Sequence, residues 1–271
     1  MSSNFNPPSE DRLAEADLAD CDYESKLSDI VGVVSPQSQG GWPRTDDYEI
    51  HNFAFAAWRF SNSNELQPSL TVLRPVPVDS DYFADFEDGD ILRMRVLLSV
   101  DHSRAIVAEI IDDAFDAPEL AEIARELAKP VEIKTERFGT LVLDRRINWF
   151  QGTVVWCGRE VRISFDTEDD LDISGQLKTA QALFAAEEDW QSKIEAFAVK
   201  ELLSVANDWR DESAKPISDR EFLERMKLES ISIQPNGEFE FWHNDGDLFY
   251  GHSIQISGSL EKGLTHSDIP G

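Results

Sequence analysis

The fold turns on residues 173–209, which read ISGQLKTAQALFAAEEDWQSKIEAFAVKELLSVANDW. Ile173, Leu177, Ala180, Phe184, Trp190, Ile194, Phe197, Leu202, Val205 and Trp209 recur at helical spacings and fall mostly on one stripe. A stripe of this kind is the core-facing side of a helix. The register shifts near Glu187-Glu188-Asp189, which predicts a break and a solvated turn there.

On either side of this helical stretch the periodicity falls to two. Phe138–Leu143, Gly152–Cys157 and Val161–Phe165 predict a strand meander, with Gly158-Arg159-Glu160 as one of its turns. After the helix, Ser218-Asp-Arg-Glu221 fits a capping box, flanked by Ile217 and Phe222 as a hydrophobic staple. Ile231 and Ile233 then lead into the hairpin loop Pro235-Asn236-Gly237, followed by Phe239 and Phe241. Asn244-Asp-Gly-Asp247 is read as the next turn, opening a strand over Leu248–Ser257. That loop length puts Phe239, Phe241 and His243 on one face with Leu248, Tyr250, His252, Ile254 and Ile256.

The N-terminal side is also rich in strands. Tyr48–Phe60, Leu70–Val78, Ile91–Val100 and Ala105–Ile111 are β-rich runs, and Asp101-His-Ser-Arg104 joins the last two as a hairpin. Pro75 and Pro77 place the second run at an edge or a strand end. Pro118 opens a short helix over Glu119–Ala128, and Pro130 closes it. Residues 1–45, with their prolines, glycines and acidic stretch, read as weakly ordered except for a short strand at Ile30–Val34. The expected organisation is an acidic segment 1–45, an α+β domain 46–135 and a second α+β domain 136–271. The fold class is α+β, each unit a mainly antiparallel sheet packed with helices. The second has a long helix or helix pair between two β meanders.

At about 150 residues per domain, 271 residues make one large or two small domains. Hydrophobic residues are 41%, with 16 Phe and 7 Trp, enough to bury a core and exclude wholesale disorder. The net charge of -28 excludes binding of nucleic acid or an anionic membrane through a basic surface. Acidity is spread over both halves. No basic and apolar leader opens the sequence, no apolar run reaches the ~20 residues of a spanning helix, and Cys21 and Cys157 form no CxxC pair. The expectation is a cytoplasmic protein with two free thiols and no membrane or nucleic-acid partner.

The phosphate-cradling glycine patterns, GxSxG and HExxH are absent. Among the five histidines, His243 and His252 are the pair a simple hairpin brings together. With Asp247 they are the candidate catalytic or metal-binding set, because two imidazoles and a carboxylate on adjacent strands suit a divalent cation or metal-assisted hydrolysis. His252 with Asp245 or Asp247 would make a base and its orienting carboxylate. The plainer reading makes Asn-Asp-Gly-Asp turn chemistry and His252 a satisfied core histidine. Glu168, Asp169, Asp170 and Asp172 lack the alternation of a calcium loop and suit a helix amino end. Cys157, after Trp156, is read as a small packing residue rather than a nucleophile. No cofactor and no metal site is expected.

Phe138-Gly139, Trp156-Cys-Gly158, the helix carrying Trp190, Asn207-Asp-Trp209, the capping box before Phe222, and Asp247-Leu-Phe-Tyr-Gly-His252 occur in one order and spacing. In these the segment Phe138–Gly263 resembles the bacterial domain of unknown function 2262 family. The resemblance implies an α+β fold and a bacterial origin, and carries over no catalytic residues. Small acidic α+β domains of this kind also resemble immunity proteins encoded beside bacterial toxins. The functional expectation is therefore a non-enzymatic protein that binds a protein partner, most concretely a cognate toxin encoded nearby and possibly of the basic, nuclease type. A metal-dependent hydrolase and a structural or regulatory interaction module are the alternatives. For the binder, the contact residues are expected in three acidic clusters: Asp79, Asp81, Asp85, Glu87, Asp88 and Asp90; Asp112, Asp113 and Asp116; and Glu168, Asp169, Asp170 and Asp172.

Overall fold

The computed structural model describes residues 21–36, 40–42, 48–77, 86–111, 116–167, 171–211 and 213–271. The chain divides into two compact units, Met1–Pro130 with Arg145–Ile147, and Val131–Asp144 with Asn148–Gly271. The fold is mixed α+β, with one sheet in each unit.

In the first unit the strands are β1 (Tyr23–Val34), β2 (Gly40–Trp42), β3 (Tyr48–Phe60), β4 (Leu70–Pro77), β5 (Ile91–Ser99) and β6 (Arg104–Ile111). β1 pairs antiparallel with both β3 and β5, and β3 with β4. With the short β2 set aside, β1, β3 and β4 in sequence and β5 returning beside β1 make a Greek key. β6 joins β5 antiparallel to β4 in parallel and closes a five-stranded barrel, with β2 added on β3. Closure leaves the five barrel strands no free edge. The interior is filled by residues including Ile30, Phe53, Phe55, Trp58, Leu70, Met94 and Val107. Gly32 is required where it stands, because a Cβ there would meet the Phe55 ring at 2.3 Å. The helix α1 (Pro118–Leu127) covers the outside of β1 and β3, packing Ala117 and Leu120 against Val31, Val33 and Ala57.

This corrects the reading of residues 1–45. The short strand at Ile30–Val34 begins at Tyr23, and both of its faces are buried near Val31–Val34, one in the barrel and one under α1. Residues 1–20 lie outside the described residues. Pro75 and Pro77 sit beyond Leu73, the last β4 residue paired with β6, at the end of the strand.

The second unit is an eight-stranded sheet in the order β14-β13-β12-β11-β10-β9-β8-β7. Its strands are β7 (Glu132–Thr135), β8 (Gly139–Asp144), β9 (Trp149–Trp156), β10 (Arg159–Asp166), β11 (Lys227–Ile233), β12 (Glu238–Asn244), β13 (Ser253–Ser259) and β14 (Gly263–Asp268). Neighbours are antiparallel except β10 and β11, which run parallel. A parallel pair needs a crossover, and the helical stretch supplies it as α2 (Ser174–Ala185), α3 (Glu187–Trp209) and α4 (Asp219–Arg225). The expected register break falls at Ala186, between α2 and α3. Ser218 caps α4 by accepting from the Glu221 backbone N–H, and Ile217 and Phe222 are both buried beside it. Gly237 takes a φ of 80° in the β11–β12 turn, as a left-handed position requires. One hydrophobic core joins the helices to the sheet face carrying Phe150, Trp156, Phe165, Ile231, Phe239, Phe241 and Ile254.

Two turn assignments are corrected. The β9–β10 turn is Cys157-Gly158, with φ of 46° and 78°, and Arg159 already begins β10. The connection after β12 runs from Asp245 to His252, so Leu248, Tyr250 and His252 lie in a loop rather than on the strand.

Candidate functional site

Period-two alternation along β12 buries Phe239, Phe241 and His243 on the core face. His243 lies opposite Leu228 of β11 and Ile254 of β13. It is 2% exposed, and both ring nitrogens are shut away from solvent against the backbones of Ile254 and Phe241. Burial penalises the charged imidazolium and pushes its pKa down to about 4, although the backbones of Ile254 and Phe241 pull the other way. At pH 7 the ring is neutral and offers one donor and one acceptor.

The ring borders a cavity of about 190 Å³. Leu223, Met226 and Leu228 form its apolar wall, from α4, its C-cap and β11. The end of the β9–β10 hairpin contributes Trp156, Cys157 and Arg159, and α3 contributes Gln191 and Glu195. These last two are four residues apart and therefore share a helix face. The Trp156 indole N–H donates to Gln191 Oε1 at 2.9 Å, and Gln191 Nε2 donates to Glu195 Oε1 at 2.8 Å. This chain fixes the Gln191 amide and turns one Glu195 oxygen toward it.

The electrostatics of the mouth are acidic. Partial burial raises the Cys157 thiol pKa, and Glu187, Glu188 and Glu195 raise it further. That field suppresses the thiolate, so Cys157 is a poor nucleophile. Glu187, Glu188 and Asp189 occupy the first turn of α3, where the helix dipole favours them.

The structure does not assemble His243, His252 and Asp247 into one constellation. The His252 ring lies edge-on to Trp209 at 5.7 Å, in a cluster where Trp209 also meets Phe249 and stacks on Tyr250. Asp247 is exposed with a φ of 63°. The residue that organises this loop is Asp245, 2% exposed, whose carboxylate accepts backbone N–H bonds from Asp247, Phe249 and Gly251. Among the described residues no group of three or more His, Cys, Asp or Glu is placed to hold a metal ion.

Of the acidic clusters, Asp79, Asp81, Asp85, Asp112, Asp113, Glu168, Asp169 and Asp170 lie outside the described residues. Glu87 and Asp88 are exposed, Asp88 being ion-paired with Arg146 at 3.3 Å. Asp90 accepts the Glu87 N–H and so shapes its own turn. Asp116 is exposed, and its carbonyl receives Arg59. Asp172, one residue before the Ile173 N-cap of α2, accepts from the Ser174 backbone N–H and hydroxyl, in keeping with a helix-end role.

The sequence reading did not single out Arg159, Gln191, Glu195, Leu223, Met226 or Leu228. The one signal available was the Gln191-to-Glu195 spacing on the polar side of the helix stripe.

No described helix is long and apolar enough to cross a membrane. No curated protein and no solved structure matches the chain. Residues 135–269 match a bacterial family described as an uncharacterized protein conserved in bacteria, DUF2262. This segment, which contains every residue lining the His243 cavity, is a domain of that family.

Proposed function

We propose that this chain is a non-enzymatic binding protein that takes a basic protein partner. In its most concrete form it is a cytoplasmic immunity protein that neutralises a cognate bacterial toxin by direct contact. The supporting observation is charge: 53 acidic against 25 basic residues, for a net -28. A potential of that sign speeds encounter with a cationic surface. A nuclease-type toxin presents such a surface, because it must grip phosphate. The acidic field around Cys157 and the exposed residues Glu87 and Asp116 are described positions where such a partner would make contact.

The test is co-expression with the product of the adjacent gene, alone and beside this chain. Growth rescue together with a salt-sensitive complex supports the immunity reading. Binding without rescue moves the protein to a structural or regulatory module, and unaltered killing with no complex removes the partner reading.

A further inference from the structure

Among the described residues, the large hydrophobic side chain most open to solvent is Tyr250, at 76% exposure. Its φ of 57° is one that a bulky residue adopts at a cost and glycine adopts freely. The ring is nevertheless held in one place. Its hydroxyl donates to the Trp209 carbonyl at 2.7 Å, and it stacks on the Trp209 indole with the planes 26° apart and the centroids at 5.9 Å. Apolar burial does not account for this placement, because most of the ring stays in water. A rigid aromatic ring displayed at the cost of backbone strain has the form of a contact anchor.

The surroundings select the charge of what the ring meets. Trp209 ends α3, whose last carbonyls form the negative end of a 23-residue helix dipole, and no basic residue stands in that last turn. Asp208 and Asp211 are exposed beside it, as is Asp247 in the loop that carries Tyr250. Arg210 opposes them with one positive charge, its Nη1 donating to the Asp211 carbonyl at 3.3 Å.

We propose that Tyr250 and the end of α3 form a contact point for a basic protein partner, which lays an arginine side chain on the exposed part of the Tyr250 ring. A guanidinium is planar and weakly hydrated and stacks on aromatic faces, and its charge suits the helix end. An ammonium has the charge but not the plane. An anion meets the wrong end of the helix and the carboxylates around it. That the arginine belongs to a protein rests on the partner reading above, whereas the ring and the helix end stand without it.

The test uses the full chain and three capped amino acids: N-acetyl-arginine methylamide, its lysine analogue, and its citrulline analogue as the neutral isostere. Binding is followed by the NMR signals of the Tyr250 ring. The arginine probe is expected to shift those signals and to bind at least about threefold more tightly than citrulline, with lysine between them. Tyr250→Gly should weaken the arginine probe by about threefold to fivefold, while its thermal midpoint moves by no more than about 3 °C, because glycine relieves the strained φ. Tyr250→Phe keeps the ring and should bind to within about twofold of the parent. Equal binding of citrulline, an unperturbed Tyr250 ring, full binding by Tyr250→Gly, or a large fall in its melt, which would make the ring a structural prop, each overturns the proposal. So does a Tyr250→Phe variant as weak as Tyr250→Gly. A toxin complex that ignores Tyr250→Gly, with no shift from the arginine probe, removes this contact point alone. A bound arginine probe with no toxin complex removes the partner reading and leaves the arginine site standing.

Discussion

Arg59 in the N-terminal unit and His243 in the C-terminal unit are both hidden, at 7% and 2% exposure, and are treated in opposite ways. Arg59 donates to the Glu119 carboxylate and to the carbonyls of Phe60, Ser61, Ser63 and Asp116. It ties the barrel to the start of α1. The His243 ring nitrogens are instead set against the backbones of Ile254 and Phe241, which favour the charged ring less than burial disfavours it. A buried group bonded to carboxylate and carbonyls keeps its charge, while a buried imidazole set only against backbone loses stability whenever it must take one up.

The largest expected effect comes from acid acting on His243. In the unfolded chain the imidazole titrates near 6.5, and in the fold at about 4. Between those values the unfolded state binds the proton and the folded state does not. Stability is therefore fully present above pH 6.5, is lost as pH falls toward 4, and does not decline further from this group below that. The total is about 3 kcal/mol. His243→Phe should remove that part of the acid sensitivity. Comparing denaturant midpoints of the two proteins at pH 7, 5 and 4 isolates it from the carboxylates, which both share. Parallel pH profiles would mean that the His243 proton is accommodated in the folded state.

Arg59→Met tests the other side of the comparison. It leaves Glu119 and several carbonyls without their donor and should destabilise the N-terminal unit by about 2–3 kcal/mol. The lower figure reflects the solvent that Glu119 retains at 30% side-chain exposure. Hydrogen exchange in β1, β3 and α1 reads the loss. A variant as stable as the parent would show that Arg59 is replaceable packing and would dissolve the contrast with His243.

Asp245→Ala should cost about 2 kcal/mol, because backbone donors at Phe249 and Gly251 lose a buried acceptor. Its readout is the order of the loop, followed through Trp209 fluorescence, since Trp209 packs on Phe249, Tyr250 and His252. A rigid loop in this variant would mean that aromatic packing alone holds it.

These three residues also show what the sequence can reveal. His243 is legible as buried, because Phe239, Phe241 and His243 alternate with polar neighbours along β12. Arg59 lies in a strand whose ends, Tyr48 and Phe60, are readable from its aromatic pattern, but its partner Glu119 is sixty residues away and no local pattern links them. The Asp245 loop was misread because period-two counting presumes a short turn. A carboxylate that gathers three backbone donors folds eight residues into the same place. β7 and β14 escaped notice for a related reason: as edge strands with little buried surface, they carry no apolar alternation. The cavity was illegible because its lining comes from five separate segments, and Gln191 and Glu195 lie on the polar side of the helix stripe where hydrophobic periodicity is silent.

The smallest effect on stability, and the one that decides which unit meets the partner, comes from charge reversal. Glu187→Lys with Glu188→Lys alters the acidic field around Cys157, and Glu87→Lys with Asp88→Lys alters the turn before β5. All four side chains are wholly or partly exposed, so each pair should shift unfolding only slightly, the α3 pair more because it opposes the helix dipole. Association with a basic partner should respond more strongly. The pair at the contact surface should slow association and flatten its dependence on salt, while the other changes both little. Stopped-flow rates over a range of ionic strength give the answer. A flattened slope from the α3 pair joins the acidic mouth to partner binding. The same change from the Glu87 pair moves the contact to the barrel unit.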